Sequence, residues 1–303
     1  MDGHRKTLTS AEQGLGRAPT LQQSSNLQAL FKSGKYLFGV AMSYPSRHVA
    51  KTVAVTGADW CWIDAEHVAW SPALLVECIQ IIIHESAGKM IPVVRVPTKT
   101  SYEYMAWCLD AGAGGIIVPH VETAEDMKGV IATCRFSPIG HRSFPPFTFI
   151  PGVTDTTPEG ESLFSLANKH CVIIPQIESR LGIKNMEEIL KMPEIDAFMI
   201  GAGDLQLDMG IPPTMRGNEP EFVAAMEKAK RMSKETDIPL LGVAFGPEMI
   251  KERLDYGYRI LVCVIDLHAL AFGIIKAIKD AKALAEEHVE KRLGHANGNA
   301  LRE

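Results

Sequence analysis

No run of Lys and Arg in this 303-residue chain is dense enough to neutralise a row of phosphates, and the net charge is −5. Nucleic acid is therefore not expected as a partner. No apolar stretch approaches the roughly 20 residues that a membrane span needs. The first residues, MDGHRKTLTSAEQGLGRAPTLQQSS, contain no apolar segment of signal-peptide length. The expectation is a cytoplasmic protein without membrane contact. The six cysteines (Cys61, Cys78, Cys108, Cys134, Cys171, Cys263) form no C-x-x-C pair, which argues against a disulfide framework and against a closed structural zinc site. Most sit inside apolar runs, where a thiol packs as a small hydrophobe. Low-complexity segments are also missing.

What is present is ordinary globular material, with 46% hydrophobic and 22% charged residues, enough to bury one large core. Eight short apolar runs recur along the chain: YLFGVAM (36–42), WCWIDAE (60–66), PVVRVP (92–97), GGIIVPH (114–120), HCVIIPQIE (170–178), DAFMIGAGD (196–204), PLLGVAF (239–245) and RILVCVID (259–266). Each is followed by a stretch of helical length, and near-continuous apolar runs suit strands covered on both faces. Eight β-α units predict an α/β fold, a closed parallel (β/α)8 barrel, over residues 31–290. Residues 1–30 are expected to be a flexible arm and 291–303 a flexible tail. The period breaks over 137–168, where a loop rich in Pro, Gly and Thr also carries Phe144, Phe147 and Phe149. Aromatics favour an ordered excursion, a lid or a subunit contact. The amphipathic stretch from His268 to Leu293 is long enough to reach a neighbouring subunit.

Barrel enzymes work at the C-terminal ends of their strands, so the polar groups where each apolar run stops are the candidates. Strand two ends in Asp64, Glu66 and His67. Strand three carries Arg95, strand four ends at His120, strand five ends Gln176-x-Glu178, and strand six ends at Gly201, Gly203 and Asp204. Glu178 and Asp204 terminate adjacent strands and can share a hard cation such as magnesium or manganese; equally, they suit acids at helix starts. None of the eight runs contains a lysine, so a Schiff base inside the barrel is not available. A Lewis-acidic metal would supply the missing electrophile. Arg95, embedded in VVRVP, is either salt-bridged within the barrel or aimed at an anion. His67 follows two acids able to orient an imidazole for proton transfer, or is a surface histidine at a turn. His120 reads as structural. The glycine-rich turn at Gly201–Asp204 suits a carboxylate or is a plain tight turn. Asp110, in LDAGAGG, joins a helix to the next strand on the opposite rim and looks structural.

Together the segments DWCWIDAEH, PVVRVP, LDAGAGGIIVPHVETAED, PIGHRS, IIPQIESRLGIKN and EIDAFMIGAGDLQLDMG resemble the HpcH/HpaI aldolase and citrate lyase family across nearly all of residues 36–280. That family comprises divalent-metal-dependent lyases acting on pyruvate-type 2-oxo acids. The resemblance implies Glu178 and Asp204 as ligands of Mg2+ (or Mn2+ or Co2+), Asp64 with His67 as the acid/base pair, and Arg95 as stabiliser of the enolate oxygen. It implies Gln176 as a contact to substrate or to metal-bound water, the amides at Gly203 and Asp204 as the carboxylate site, and a homotrimer or homohexamer. The stretch GHRSFPPFTFIPG (140–152) resembles a fungal branch that decarboxylates oxaloacetate and joins the enolate to a second molecule. Ala65, where many aldolases have Gly, changes little, whereas Gly203 and the aromatic loop depart from the bacterial aldolase pattern and leave the acceptor open. The expected activity is carbon–carbon lysis or condensation through a pyruvate enolate. Alternatives are a citryl- or malyl-CoA type of lyase and a non-catalytic oligomeric scaffold.

Overall fold

All eight apolar runs form strands, each with its covering helix, in a computed structural model that describes residues 26–145, 157 and 160–300, with side chains to residue 291. The strands are β1 (Leu37–Met42), β2 (Trp60–Asp64), β3 (Ile91–Arg95), β4 (Gly115–Val118), β5 (Val172–Ile177), β6 (Phe198–Ile200), β7 (Leu240–Val243) and β8 (Ile260–Ile265). Each pairs in parallel with the next and β8 returns to β1, closing the barrel. No described helix is long and apolar enough to cross a membrane.

Alternation along the strands makes two apolar layers. Trp60, Trp62, Val93, Ile117, Val172, Ile174, Leu241 and Val262 fill the interior. Cys61, Ile63, Val94, Ile116, Ile173 and Leu261 face the helices. Trp60 fills its layer so completely that a Cβ on Gly39 of β1 would lie 2.5 Å from the indole, which explains a glycine in a central strand.

The N-terminal end of the barrel is plugged by α1 (Leu27–Lys32), which inserts Leu27 and Phe31, 1% and 4% exposed, into the interior layer. Burying each side chain stabilises the fold by roughly 1.5–3 kcal/mol. The arm expected over 1–30 is thus corrected: its last residues are a packed plug. Nearby, buried Arg135 donates to Asp196 and to the Cys171 carbonyl, and Gln28 of α1 donates to the same aspartate. Burial pushes the Asp196 carboxyl up, against the pull of Arg135.

On the C-terminal face the helices start close to the strand ends. Those that frame the site are α5 (Ala124–Cys134), capped reciprocally by Thr123 and Asp126, α7 (Arg180–Leu190) and the short α8 (Ala202–Asp208). The other helices between strands are α2 (Arg47–Ala54), α3 (Pro72–Glu85), α4 (Tyr102–Asp110), α6 (Leu163–His170), α9 (Pro220–Thr236) and α10 (Gly246–Tyr256). The expected long loop is shortened by α6, and Asn168 pins its base by accepting from and donating to the Phe136 backbone. Phe147 and Phe149 lie outside the described residues. The last helix, α11 (Asp266–Ala300), runs past the boundary expected at 290. It leaves Leu270, Phe272, Ile274, Ile275, Ile278, Leu284 and Val289 exposed.

Candidate active site

Register places the first cluster. Asp64 closes β2 directly beside Arg95 at the end of β3, so both side chains leave the sheet together. Arg95 is 7% exposed and donates twice to Asp64, Nε to Oδ1 at 2.9 Å and Nη2 to Oδ2 at 2.7 Å. Its Nη1 lies 3.0 Å from Glu66 Oε2, and its guanidinium stacks 4.6 Å from the Trp62 ring. The Glu66 contact is an ion pair without hydrogen-bond geometry, since Oε2 has no hydrogen-bond partner among the described residues. A buried guanidinium is tolerated when its donors are answered, and here two acids and a π-face answer them. Burial raises the Glu66 carboxyl above its usual range although Arg95, His67 and His120 oppose the shift.

The second cluster surrounds Glu178, which follows β5 and is 2% exposed. Its Oε1 accepts from the His120 backbone N–H at 2.8 Å and its Oε2 accepts from the Gln176 amide. Among the described residues its only ion-pair partner is the His120 imidazole, at 3.4 Å. His120 reaches it by adopting a left-handed φ of 51°, uncommon for a residue with a Cβ, which turns both amide and ring toward Glu178. Burial raises the Glu178 carboxyl, the Gln176 and His120 hydrogen bonds oppose this, and the neighbouring charge of Asp204 adds to the rise. Gly201 leaves room for the carboxylate: a Cβ there would stand 2.0 Å from Glu178 Oε2. Buried Gln176 Oε1 has no partner among the described residues.

Asp64, His67, Arg95, Gln176, Gly203 and Asp204 all line one cavity of about 330 Å3 at the barrel mouth, and Glu178 adjoins it through Gln176. Two expectations need correction. His67 is placed beside Glu66, Nε2 to Oε2 at 3.6 Å, because Asp64 is committed to Arg95. Asp204 belongs to the first turn of α8 rather than to a strand, since β6 stops at Ile200. Reading strand ends alone undervalued Glu66 and His120, whose side chains meet at 3.5 Å. Ligand atoms of Glu66, His120 and Glu178 lie within 4.8 Å of one another, close enough to share a cation. The far wall, from Met215, Phe245, Leu267 and His268, went unpredicted because it is assembled from loops and from α11. Asp110, expected to be structural, forms a 2.6 Å ion pair with Arg142 away from this cavity.

Residues 39–271 match the family model described as HpcH/HpaI aldolase/citrate lyase. The chain belongs to this family. Its members are carbon–carbon lyases, and this chain is an enzyme of that class. A 2-keto-3-deoxy-L-rhamnonate aldolase of Klebsiella pneumoniae is 28% identical over 77% of this chain and 84% of its own length. A hydroxypyruvate/pyruvate aldolase of Roseobacter denitrificans is 27% identical over 78% and 89%. Among solved structures, macrophomate synthase superposes with a TM-score of 0.84 at 35% identity, covering 89% of this chain and 94% of the other.

Proposed function

We propose that this aldolase-family barrel forms or consumes a pyruvate enolate, cleaving or condensing 2-oxo acids and decarboxylating oxaloacetate, with a divalent cation held by Glu178 and Asp204. The observation that carries the reading is the charge state of the mouth. A nearly inaccessible Glu178 faces a second acid, Asp204, and no described lysine or arginine pairs with it. Two neighbouring carboxylates with no lysine or arginine between them are unfavourable in a cleft unless an ion joins them. Oxygen donors of this kind fit Mg2+, Mn2+ or Co2+, and the space kept by Gly201 and the unanswered Gln176 oxygen fit such a centre. When bound, the cation would polarise the 2-oxo group and neutralise negative charge developing on its oxygen.

The remaining roles belong to the chain. Arg95, immobilised by Asp64 and Trp62, points a fixed positive charge at the cavity and stabilises the enolate oxygen. Gln176 orients the substrate, and the backbone amides at Gly203 and Asp204 face its carboxylate. His67, at the rim with Glu66 as its carboxylate partner, moves the proton at Nε2. Macrophomate-synthase-like chemistry is favoured over sugar-acid aldol cleavage by the higher identity to that enzyme. A homotrimer or homohexamer is the assembly proposed, because the exposed apolar face of α11 calls for a neighbouring copy.

The test is pyruvate release from oxaloacetate by purified protein, with EDTA and then with added magnesium, manganese or cobalt. Metal-restored release is expected, and it should disappear in Glu178→Ala and Asp204→Ala while the barrel stays folded. Full activity in either variant would sink the assignment of the ligands.

A further inference from the structure

A second cleft, of about 550 Å3, lies between α9 and α10 next to the active-site cavity. It is lined by Phe222 and Met226 on one side and by the Arg216–Glu252 ion pair, at 3.0 Å, on another. Two residues, Met215 and Arg253, line both spaces. Met215 and Arg253 therefore stand between them, and of the two Met215 is the apolar side chain, 38% exposed.

Its backbone is not placed there by default. Met215 has a φ of 58°, a left-handed conformation that a residue with a Cβ adopts only under constraint. The constraint is visible. Gln206 of α8, 1% exposed, accepts from the Met215 N–H at 2.8 Å and donates to the Arg216 carbonyl at 2.8 Å. Arg253, stacked 5.1 Å from the Tyr258 ring, donates to the Met215 carbonyl at 3.0 Å. The segment is thus clamped on both flanks of one methionine. A strained residue held by a buried amide and an arginine, at the boundary of a small cavity, fits a wall that must stay in place.

We propose that Met215 is a specificity-determining residue, which separates the active-site cavity from the outer cleft and restricts the acceptor to short aldehydes. The inference rests on the enolate reading above. A cavity of 330 Å3 is at the small end of ligand pockets, which span roughly 300–1,000 Å3, and the 2-oxo acid already occupies part of it. In the reaction considered, the C–H bond at C3 of pyruvate breaks and C3 bonds to the aldehyde carbon. The proton lost from C3 is balanced by one gained on the new alkoxide oxygen, so no oxidant or reductant is needed. Arg95 and Met215 both line this cavity, and Met215 borders the outer cleft, so a tail too long for the cavity would press on the Met215 wall.

The experiment compares aldol addition of pyruvate to acetaldehyde, butanal, hexanal and octanal by the metal-loaded wild type, Met215→Ala and the size-preserving Met215→Leu. The readout is the ratio of kcat/KM for octanal to that for acetaldehyde within each protein, so that a general loss of activity cancels. Truncation should raise the ratio by about tenfold or more, and Met215→Leu should keep the wild-type ratio. An unchanged ratio in Met215→Ala overturns the proposal. A measurement without turnover or substitution runs beside it: calorimetric binding of straight-chain 2-oxo acids to the wild type with magnesium. Affinity should drop once the tail outgrows the cavity, and equal affinity for long and short chains overturns the wall. If the wild type binds no 2-oxo acid and releases no pyruvate from oxaloacetate, the enolate reading itself falls and takes this inference with it.

Discussion

Gly201→Ala tests the proposed metal site with one methyl group. The added Cβ would lie 2.0 Å from Glu178 Oε2, 2.8 Å from its Cβ and 3.0 Å from its Cδ. Glu178 has nowhere to retreat, since one carboxylate oxygen is held by the His120 N–H and the other by the Gln176 amide. Overpacking of this kind destabilises by about 1–3 kcal/mol, a few degrees in Tm. The larger effect falls on the cation. A carboxylate pushed off its position ceases to be an ideal ligand, and disturbing even the outer shell of a metal site weakens binding by about 10–100-fold. Gly201→Ala should therefore weaken Mg2+ or Mn2+ at least that much in calorimetric titration. Gly203→Ala is the matched control, because a Cβ there has no atom within 4 Å and alanine favours the helix by up to about 1 kcal/mol. Wild-type metal affinity in Gly201→Ala would refute Glu178 as a ligand.

Three other outcomes follow from the same contacts. Arg95→Met leaves Asp64 and Glu66 uncompensated and should destabilise by about 3–5 kcal/mol in urea unfolding; a loss under 1 kcal/mol would mean that the pair is solvated. Leu27→Ala should cost about 2–5 kcal/mol, because the plug residue is 1% exposed inside the barrel end, and an unaltered midpoint would show that α1 does not seal it. Asp126 accepts from the Glu122 and Thr123 backbone and pairs with Lys99, and although burial raises its carboxyl these contacts hold it below the ordinary 3.8. Its contribution is therefore complete above pH 3.8 and is lost as pH falls through the depressed value. Asp126→Asn should cost about 1 kcal/mol at neutral pH, with the difference from wild type closing only in strong acid; a gap that closes near pH 6 would contradict the assignment.

The barrel was legible because a strand covered on both faces needs only an apolar run, a local property that WCWID, PVVR and VIIPQI display openly. Asp64, Arg95 and Gln176 could be placed at the mouth because strand ends point there whatever the side chains are, whereas Asp204 reaches it from the first turn of α8. Contacts among those residues were not legible. His67 pairs with Glu66 rather than Asp64 because register across to β3 commits Asp64 to Arg95, and register is a relation between strands. His120 turns on Glu178 through a left-handed φ that no residue type announces in a non-glycine. Leu27 and Phe31 sit four apart in a six-residue helix, too short for a period to stand out. One property of the assembled mouth exceeds any of these contacts. Asp64, Glu66, Glu178 and Asp204 bring four acids to the mouth, where Arg95 pairs with the first two and Arg253, the other arginine lining the cavity, is stacked near Tyr258 and donates to the Met215 carbonyl. Among the described residues neither Glu178 nor Asp204 pairs with a lysine or arginine, so negative charge gathers where strands five and six end, and that excess is what the proposed cation would neutralise.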